Sequence, residues 1–552
     1  MKPNEGKDSG DAVRADSEAI IKSRYESYLS DESGLGPGNA QTIYFPMSEK
    51  QIADFLREMN SRKTPVTISG GRTGIVGGAV PNGGALMSLQ RMNRILGIRR
   101  DNRTHEWRVT AEPGIILRDF QERIAKKDLR LNGNTPDSNW KDLPLFRSDS
   151  NQYFYPPDPT EESASLGGTV ATDASGARTY FYGRTRNHIR GLRIVLATGD
   201  VLAIRRGDYI IDSSRTAEIQ CLDGRRIILR ITSYDYPDVK TAAGYYSRKN
   251  MDLMDLFIGS EGTLGVITSV EVALTVASSH TAMFLAFFPS QDSAVGFVLS
   301  VRSHKLAETP LTLHSMEYLD SNSLELLRRL NRQGETGVGV KLPEGDSLTA
   351  ILSEFAYGDL TEAVEFLKGP LEEFGSSMES AIAGTGQREK DRLRALRHQV
   401  PDAINRIVAK RRSAVSGIHK FGTDTAVPDS SLQPLMRFYS QGLTASRLEH
   451  YVFGHIAESH LHVNVLPRNT MELDEAERLV REFVEKAVSL GGTVSAEHGI
   501  GKMKKNLVKT MYADVNIEQM AATKRALDPN WILSPGNILA PLRETSDERS
   551  VS

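Results

Sequence analysis

Thiol chemistry is almost missing from this sequence: of 552 residues only Cys221 is a cysteine. One thiol closes no intrachain disulfide, which excludes the stapled scaffolds of small secreted proteins. Neither sign of charge is in excess, with 68 Lys and Arg against 70 Asp and Glu for a net charge of −2, so nothing draws the chain electrostatically to nucleic acid. No run approaches the roughly 18–20 uncharged apolar residues that span a bilayer. The most apolar window, MFLAFF at 283–288, has the length of a buried strand. The opening MKPNEGKDSGDAVRADSEA is polar throughout and lacks the apolar centre of a secretory signal. A cytoplasmic location is therefore expected, which peripheral attachment to a membrane would not contradict.

What is present is ordinary globular material, 39% hydrophobic and 25% charged with 46 glycines, long enough for two or three domains at about 150 residues each. Residues 1–40 read as a polar, loose N-terminal extension, and 542–552 as a loose tail. Between 41 and 280 short β-branched runs alternate with Gly-rich turns: 65–68, 107–110, 192–196, 201–204 and 265–268 are strands, and 48–60 and 117–127 helices. From 281 to 520 the helices lengthen. That at 472–490 is clearest, with Leu479, Phe483, Val484, Ala487 and Val488 on one face and Gly491-Gly492 closing it. Residues 521–541 form a last stretch. Segment 205–250, rich in Arg, Asp and Tyr, reads as an insertion without a legible function.

Three Gly/Ser/Thr-rich loops punctuate the first region. SGGRTGIVGG at 69–78 has five glycines in ten residues; such a loop exposes successive backbone N–H groups and admits a pyrophosphate closely. Alone it is equally a flexible turn, and it is neither a Walker A loop nor a G-x-G-x-x-G helix opening. PPDPTEESASLGGTVATDASG at 156–176 and FIGSEGTLGVIT at 257–268 are the others. Together they could wrap an extended dinucleotide without a Rossmann unit.

The three strings resemble the FAD domain of the vanillyl-alcohol oxidase / p-cresol methylhydroxylase superfamily, over about 45–541. The resemblance implies an α+β architecture: a two-subdomain, non-Rossmann FAD-binding domain plus an α+β substrate (cap) domain with an antiparallel sheet. It implies FAD held by Gly70, Gly71, Arg72, Thr73, Gly74 and Gly77 at the pyrophosphate. Pro157, Asp158, Gly168, Thr172, Gly176, Glu261, Gly265, Val266 and Ile267 would lie toward the ring. The closing LDPNWILSPGNI at 527–538 is similar to the family's return to the flavin, with Asn537 where a lysine is common. Some relatives attach FAD through a His or Cys in these loops; none of the three contains either, so the expectation is non-covalent FAD.

The second region concentrates histidines in FGHIAESHLHVNVLP at 453–467 and SAEHGIG at 495–501. By parity Leu461, Val463 and Val465 share one face of a strand and His460, His462 and Asn464 the other. A hairpin with the strand at 450–455 would bring His455 across. The pattern fits either a polar strand face of satisfied histidines or a catalytic divalent-metal site, zinc foremost, built from imidazole and carboxylate because no thiolate is at hand.

This pair of segments resembles the FAD-linked 2-hydroxy-acid dehydrogenases: D-lactate dehydrogenase, D-2-hydroxyglutarate dehydrogenase and the glycolate oxidase flavin subunit. The resemblance implies His455, His462 and Glu497 as metal ligands, His498 as catalytic base and Asn464 at the substrate. Relatives usually carry Gly-Asp-Gly-Asn where this chain has Ala457-Glu-Ser-His460, which puts His460 at the metal or the substrate side. Arg397 and Lys420 are the nearest matches for cations on the substrate carboxylate, against the alternative of solvated surface charge. The implied reaction is oxidation of a D-2-hydroxy acid: the metal acidifies the hydroxyl, His498 takes its proton and hydride passes to flavin N5. A quinone, a cytochrome or an electron-transfer flavoprotein would reoxidise the flavin; a homodimer is compatible with the sequence. The alternatives are a non-redox FAD transferase of the alkyl-dihydroxyacetonephosphate synthase kind, against which Glu497 speaks, and an FAD-containing assembly subunit.

Overall fold

The computed structural model describes residues 11–130, 136–234, 236–303, 309–335, 339–345 and 348–540. The tail at 542–552 lies outside them. The N-terminal stretch is not loose from residue 11 onward: Val13–Ala15 pairs antiparallel with Thr42–Phe45, and Ile21 and Leu29 are buried against Ile43 and Phe45. An amphipathic turn of helix, Glu18–Arg24, supplies the apolar side chains that the polar composition hides.

Two sheets carry the first region. In one, Thr42–Phe45, Ala85–Ser88 and Val66–Ser69 run parallel beneath the helix Glu49–Ser61, which buries Ile52, Phe55, Leu56 and Met59. In the other, Ile95–Arg100, Trp107–Ala111, Val266–Ala273, Ile189–Val195 and Val201–Arg205 form an antiparallel sheet. The glycine loops run off the ends of these strands. Inside the 205–250 insertion Thr216–Gln220 and Arg226–Arg230 make a hairpin whose Ile219 and Leu229 join the first core.

The second region is one eight-stranded sheet. Its centre is Thr281–Phe288, Thr349–Tyr357, Leu311–Leu319, His450–Gly454 and His460–Val465, every neighbouring pair antiparallel. One face packs on Gln291–Ser303, Leu360–Glu373, Leu432–Ser446 and Met471–Ser489 through Leu461, Val463, Val465, Leu479 and Phe483. The other receives the 28-residue helix Gln387–Ala414 through Leu393, Leu396, Val400 and Ile404. The chain then returns: Asp514–Leu527 buries Met520 and Leu527 in the first core, and residues 532–534 run beside Val66, whose N–H donates to Ile532 O at 2.7 Å. Among the described residues no helix is long and apolar enough to cross a membrane.

Candidate active site

The hairpin of His450–Gly454 and His460–Val465 builds the centre. Gly454 suits its bend: φ is 143°, which L side chains rarely adopt, and a Cβ would stand just over 3 Å from His460 O and His462 N. Leu461, Val463 and Val465 turn into the helical layer, so His460, His462 and Asn464 face the opposite way. The ring centroid of His460 lies 4.5 Å from that of His462 and 5.5 Å from that of His455.

Each imidazole holds one nitrogen on an outer acceptor. His455 Nδ1 pairs with Glu317 from the middle strand Leu311–Leu319, His460 Nε2 lies 3.2 Å from Asp424 Oδ1, and His462 Nδ1 lies 3.3 Å from Thr423 O. The opposite nitrogens face one carboxylate: Glu497 Oε1 is 3.2 Å from His455 Nε2 and 4.0 Å from His460 Nδ1, and Oε2 is 3.8 Å from His462 Nε2. One donor atom from each of the four lies within 4.8 Å of all the others. Inward lone pairs with outward hydrogen bonds are the arrangement metal-binding histidines adopt, and the buried His460 Nδ1, with no hydrogen-bond partner, is a donor such a cation would satisfy. A divalent metal fits this donor set.

The electrostatics agree with that fit. Burial opposes the charged form of Glu497, but His455 and Lys240 hold it well below the usual carboxylate range. Burial lowers His460 to about 4 and holds His462 well below the ordinary imidazole range, keeping both neutral as ligands must be. His455 is the exception: burial would lower it, yet Glu317 and Glu497 raise it to about 9, so a cation on its Nε2 displaces a proton.

His498 stands beside the cluster, its ring stacked on His462 at 5.4 Å. Asp424 organises this corner. Its carboxylate is 3.2 Å from His498 Nδ1 and accepts from the backbone N–H of Glu497 and His498, from Ser495 Oγ at 2.7 Å and from Lys504 Nζ at 2.7 Å. With Nδ1 so held, His498 presents Nε2 as its free lone pair.

Three partners escape a linear reading. Glu317 and Asp424 are outer carboxylates; an acid inside the buried run LTLHSMEYL is the one sequence signal of the first. Lys240 comes from the uninterpreted insertion. Its buried ammonium donates to Glu458 Oε2 at 2.6 Å and to Gly176 O at 3.2 Å, and lies 2.5 Å from Glu497 Oε1.

The two expected carboxylate cations are placed otherwise. Arg397 is buried and donates from Nε to Glu317 Oε2 at 2.8 Å, with its guanidinium 5.3 Å from the Phe453 ring centre; it orients the carboxylate behind His455. Lys420 donates to Asn405 on the long helix at 2.9 Å, and none of its described contacts reaches the histidines. Asn464 is buried on the histidine face, opposite Gly422.

The glycine loops close together next to this centre. Ser165 Oγ, capping the helix Leu166–Thr172, accepts from the N–H of Gly71 at 3.1 Å and Gly168 at 3.3 Å. A Cβ on Gly70 would meet that oxygen, one on Gly71 the backbone of 163–165, and one on Gly74 nothing within 4 Å: the loop is pressed on its neighbour at one end and open at the other. Arg72, at φ 60°, stacks on Tyr28 at 4.2 Å. Gly176 lies against Asp158 O, Thr172 donates to Gly168 O within its helix, and Gly265 packs on Ile194 where Val266 and Ile267 enter the sheet. Asn537 donates from Nδ2 to Gly78 O and Glu261 O, and Lys502 Nζ donates to Gly77 O and Asn537 Oδ1. The carboxylate of Glu261, at φ 52°, accepts from Ile500 N at 2.6 Å and Gly501 N at 2.7 Å, tying the third loop to the Glu497-His498 turn.

Comparison with known proteins gives this arrangement its relatives. Residues 40–139 and 146–205 match the FAD binding domain family, and 277–538 the family of FAD linked oxidases, C-terminal domain. A D-lactate dehydrogenase of Anaerostipes hadrus is 27% identical over 93% of this chain and 92% of its own length. The glycolate oxidase subunit GlcD of Bacillus subtilis (strain 168) is 27% identical over 90% of this chain and 88% of its own. In fold, the 4-ethylphenol oxidase of Gulosibacter chungangensis is similar with a TM-score of 0.59 at 16% identity, over 95% of this chain and 94% of that one. An alkyldihydroxyacetonephosphate synthase is similar at 0.57 and 16%, over 95% and 82%. The chain thus joins an FAD binding domain to the C-terminal domain of the FAD linked oxidases, the pairing of an FAD-linked oxidoreductase.

Proposed function

We propose that this protein is a dehydrogenase that oxidises a D-2-hydroxy acid of the lactate class to the 2-oxo acid, with non-covalent FAD and a divalent metal, Zn2+ foremost. The observation that carries the proposal is the convergence of His455, His462 and Glu497 on one point beside His498, within a turn that Glu261 ties to the flavin loops. The names of relatives 27% identical over nearly the whole chain support the substrate class.

When bound, FAD supplies the electron sink and the metal, held by His455, His462 and Glu497, supplies a Lewis acid for the substrate hydroxyl. The chain supplies the rest. His498 takes the hydroxyl proton at Nε2, because Asp424 holds Nδ1 and stabilises the imidazolium that forms. Lys240 keeps Glu497 ionised and fixes it from the flavin side. Arg397 and Glu317 lock the ring of His455. Asn464 faces the substrate. A quinone, cytochrome or electron-transfer flavoprotein accepts the electrons afterwards.

Anaerobic bleaching of the flavin with a panel of D- and L-2-hydroxy acids tests this. Prompt bleaching by a D-acid, abolished by EDTA and by His498→Ala with FAD retained, is the expected result; no bleaching by any acid sinks the proposal.

A further inference from the structure

We propose that His460 is a fourth protein ligand of the metal, joining His455, His462 and Glu497 in a set of three imidazoles and one carboxylate to which a substrate oxygen would add as a fifth ligand; this rests on the metal reading above. Three observations carry it. The first is the unpartnered nitrogen: His460 is wholly buried, its Nε2 is held at Asp424, and its Nδ1 meets no hydrogen-bonding atom. Leaving a buried polar atom unmet is costly, and here that atom faces the carboxylate shared by the other two histidines.

The second is symmetry of support. His455 rests on Glu317 and His460 on Asp424, both carboxylates, and each turns its other nitrogen inward. An outer carboxylate fixes the tautomer and raises the basicity of a ligating imidazole.

The third is spacing. The four donor atoms are mutually within 4.8 Å, and ligand bonds of about 2.0–2.2 Å to Zn2+ require a contraction of the order of 1 Å, within reach of side-chain rotation. Three imidazoles favour Zn2+, Co2+ or Cu2+ over Mg2+ and Mn2+, which prefer carboxylate and water. The imidazole of His460 thus shifts the site toward nitrogen-binding metals.

The test compares the FAD-loaded wild type with His460→Asn. Zn2+ affinity is measured by competition with a chromogenic chelator, and coordination by the visible spectrum of the Co2+-loaded protein. Flavin content serves as the fold control. The proposal expects the variant to lose more than about 100-fold in affinity, beyond the 10–100-fold that losing an outer partner costs, and the cobalt bands to shift as an oxygen ligand takes the place of the imidazole. Equal affinity and an unchanged cobalt spectrum overturn it. The Cu2+-loaded wild type gives a measurement free of any variant: nitrogen hyperfine structure from three imidazoles supports the proposal, from two refutes it. A wild type that binds no Zn2+ at all removes the metal reading itself.

Discussion

At the scale of single residues, the centre is governed less by the groups that would touch substrate than by those behind them. Asp424 meets a histidine ring on either side, two backbone N–H groups, a serine and a lysine. Asp424→Asn keeps the shape but offers an amide to His498 Nδ1, which favours the wrong tautomer; the rate of flavin reduction is expected to fall by roughly 10³–10⁴-fold with FAD retained. Stopped-flow absorbance checks it, and a variant reducing at the normal rate removes Asp424 from the mechanism. Two histidines outside the centre set a pH response. Burial lowers both His188 and His314 from 6.5 to about 4, so the folded state binds fewer protons than the unfolded one between those values. Their contribution is complete above about pH 6.5 and is lost as pH falls through about 4, on the order of 3 kcal/mol each. Urea midpoints between pH 4 and 7 are expected to slope less in His188→Gln and His314→Gln; curves parallel to the wild type would show that neither titrates this way.

At the scale of elements, local chemistry was readable and partnership was not. The helix expected at 472–490 is Met471–Ser489, and that expected at 48–60 is Glu49–Ser61 with Ser48 capping it, because apolar spacing and a capping hydroxyl are local properties. Strand parity at 460–465 likewise separates Leu461, Val463 and Val465 from the histidine face. Glu317, Asp424 and Lys240 could not be paired with their histidines and carboxylate in the same way. They arrive from a strand, a loop and an insertion dozens to hundreds of positions away, and only the folded sheet brings them together. The N-terminal stretch misled because Ile21 and Leu29 sit among polar residues. The loop at 156–176 gives an element-scale test. A Cβ on Gly176 would stand 2.0 Å from Asp158 O, a backbone atom that cannot swing aside. Gly176→Ala is expected to weaken FAD retention at least about 10-fold, roughly 1.4 kcal/mol, measured as the flavin-to-protein ratio on dilution; wild-type retention would mean that the loop does not shape the flavin site.

At the scale of the whole molecule, a few buried polar links cross between the two halves beside the histidine cluster. Lys240, which also donates to Gly176 O on its own side, meets Glu458 and Glu497, Arg178 meets Glu354 at 2.9 Å, and Glu261 receives the N–H groups of Ile500 and Gly501. The last link has no slack. Burial pushes Glu261 up to about 7 against the pull of the two donors, so the carboxyl sits where only two converging N–H groups make it tolerable. Glu261→Gln replaces one acceptor oxygen by an NH2 that faces a backbone N–H, and the turn carrying Glu497 and His498 must move away from the flavin loops. A displacement of about 1 Å at a reacting pair is enough for a loss of the order of 100-fold. The expected signature is therefore a slowed flavin reduction with FAD content and folding midpoint little changed, because the apolar cores do not include this carboxylate. Glu261→Asp, which retains two acceptor oxygens on a shorter stem, should recover part of the rate. If both variants reduce at the wild-type rate, the crossing links do not set the distance between base and flavin, and the halves are aligned by their apolar contacts alone.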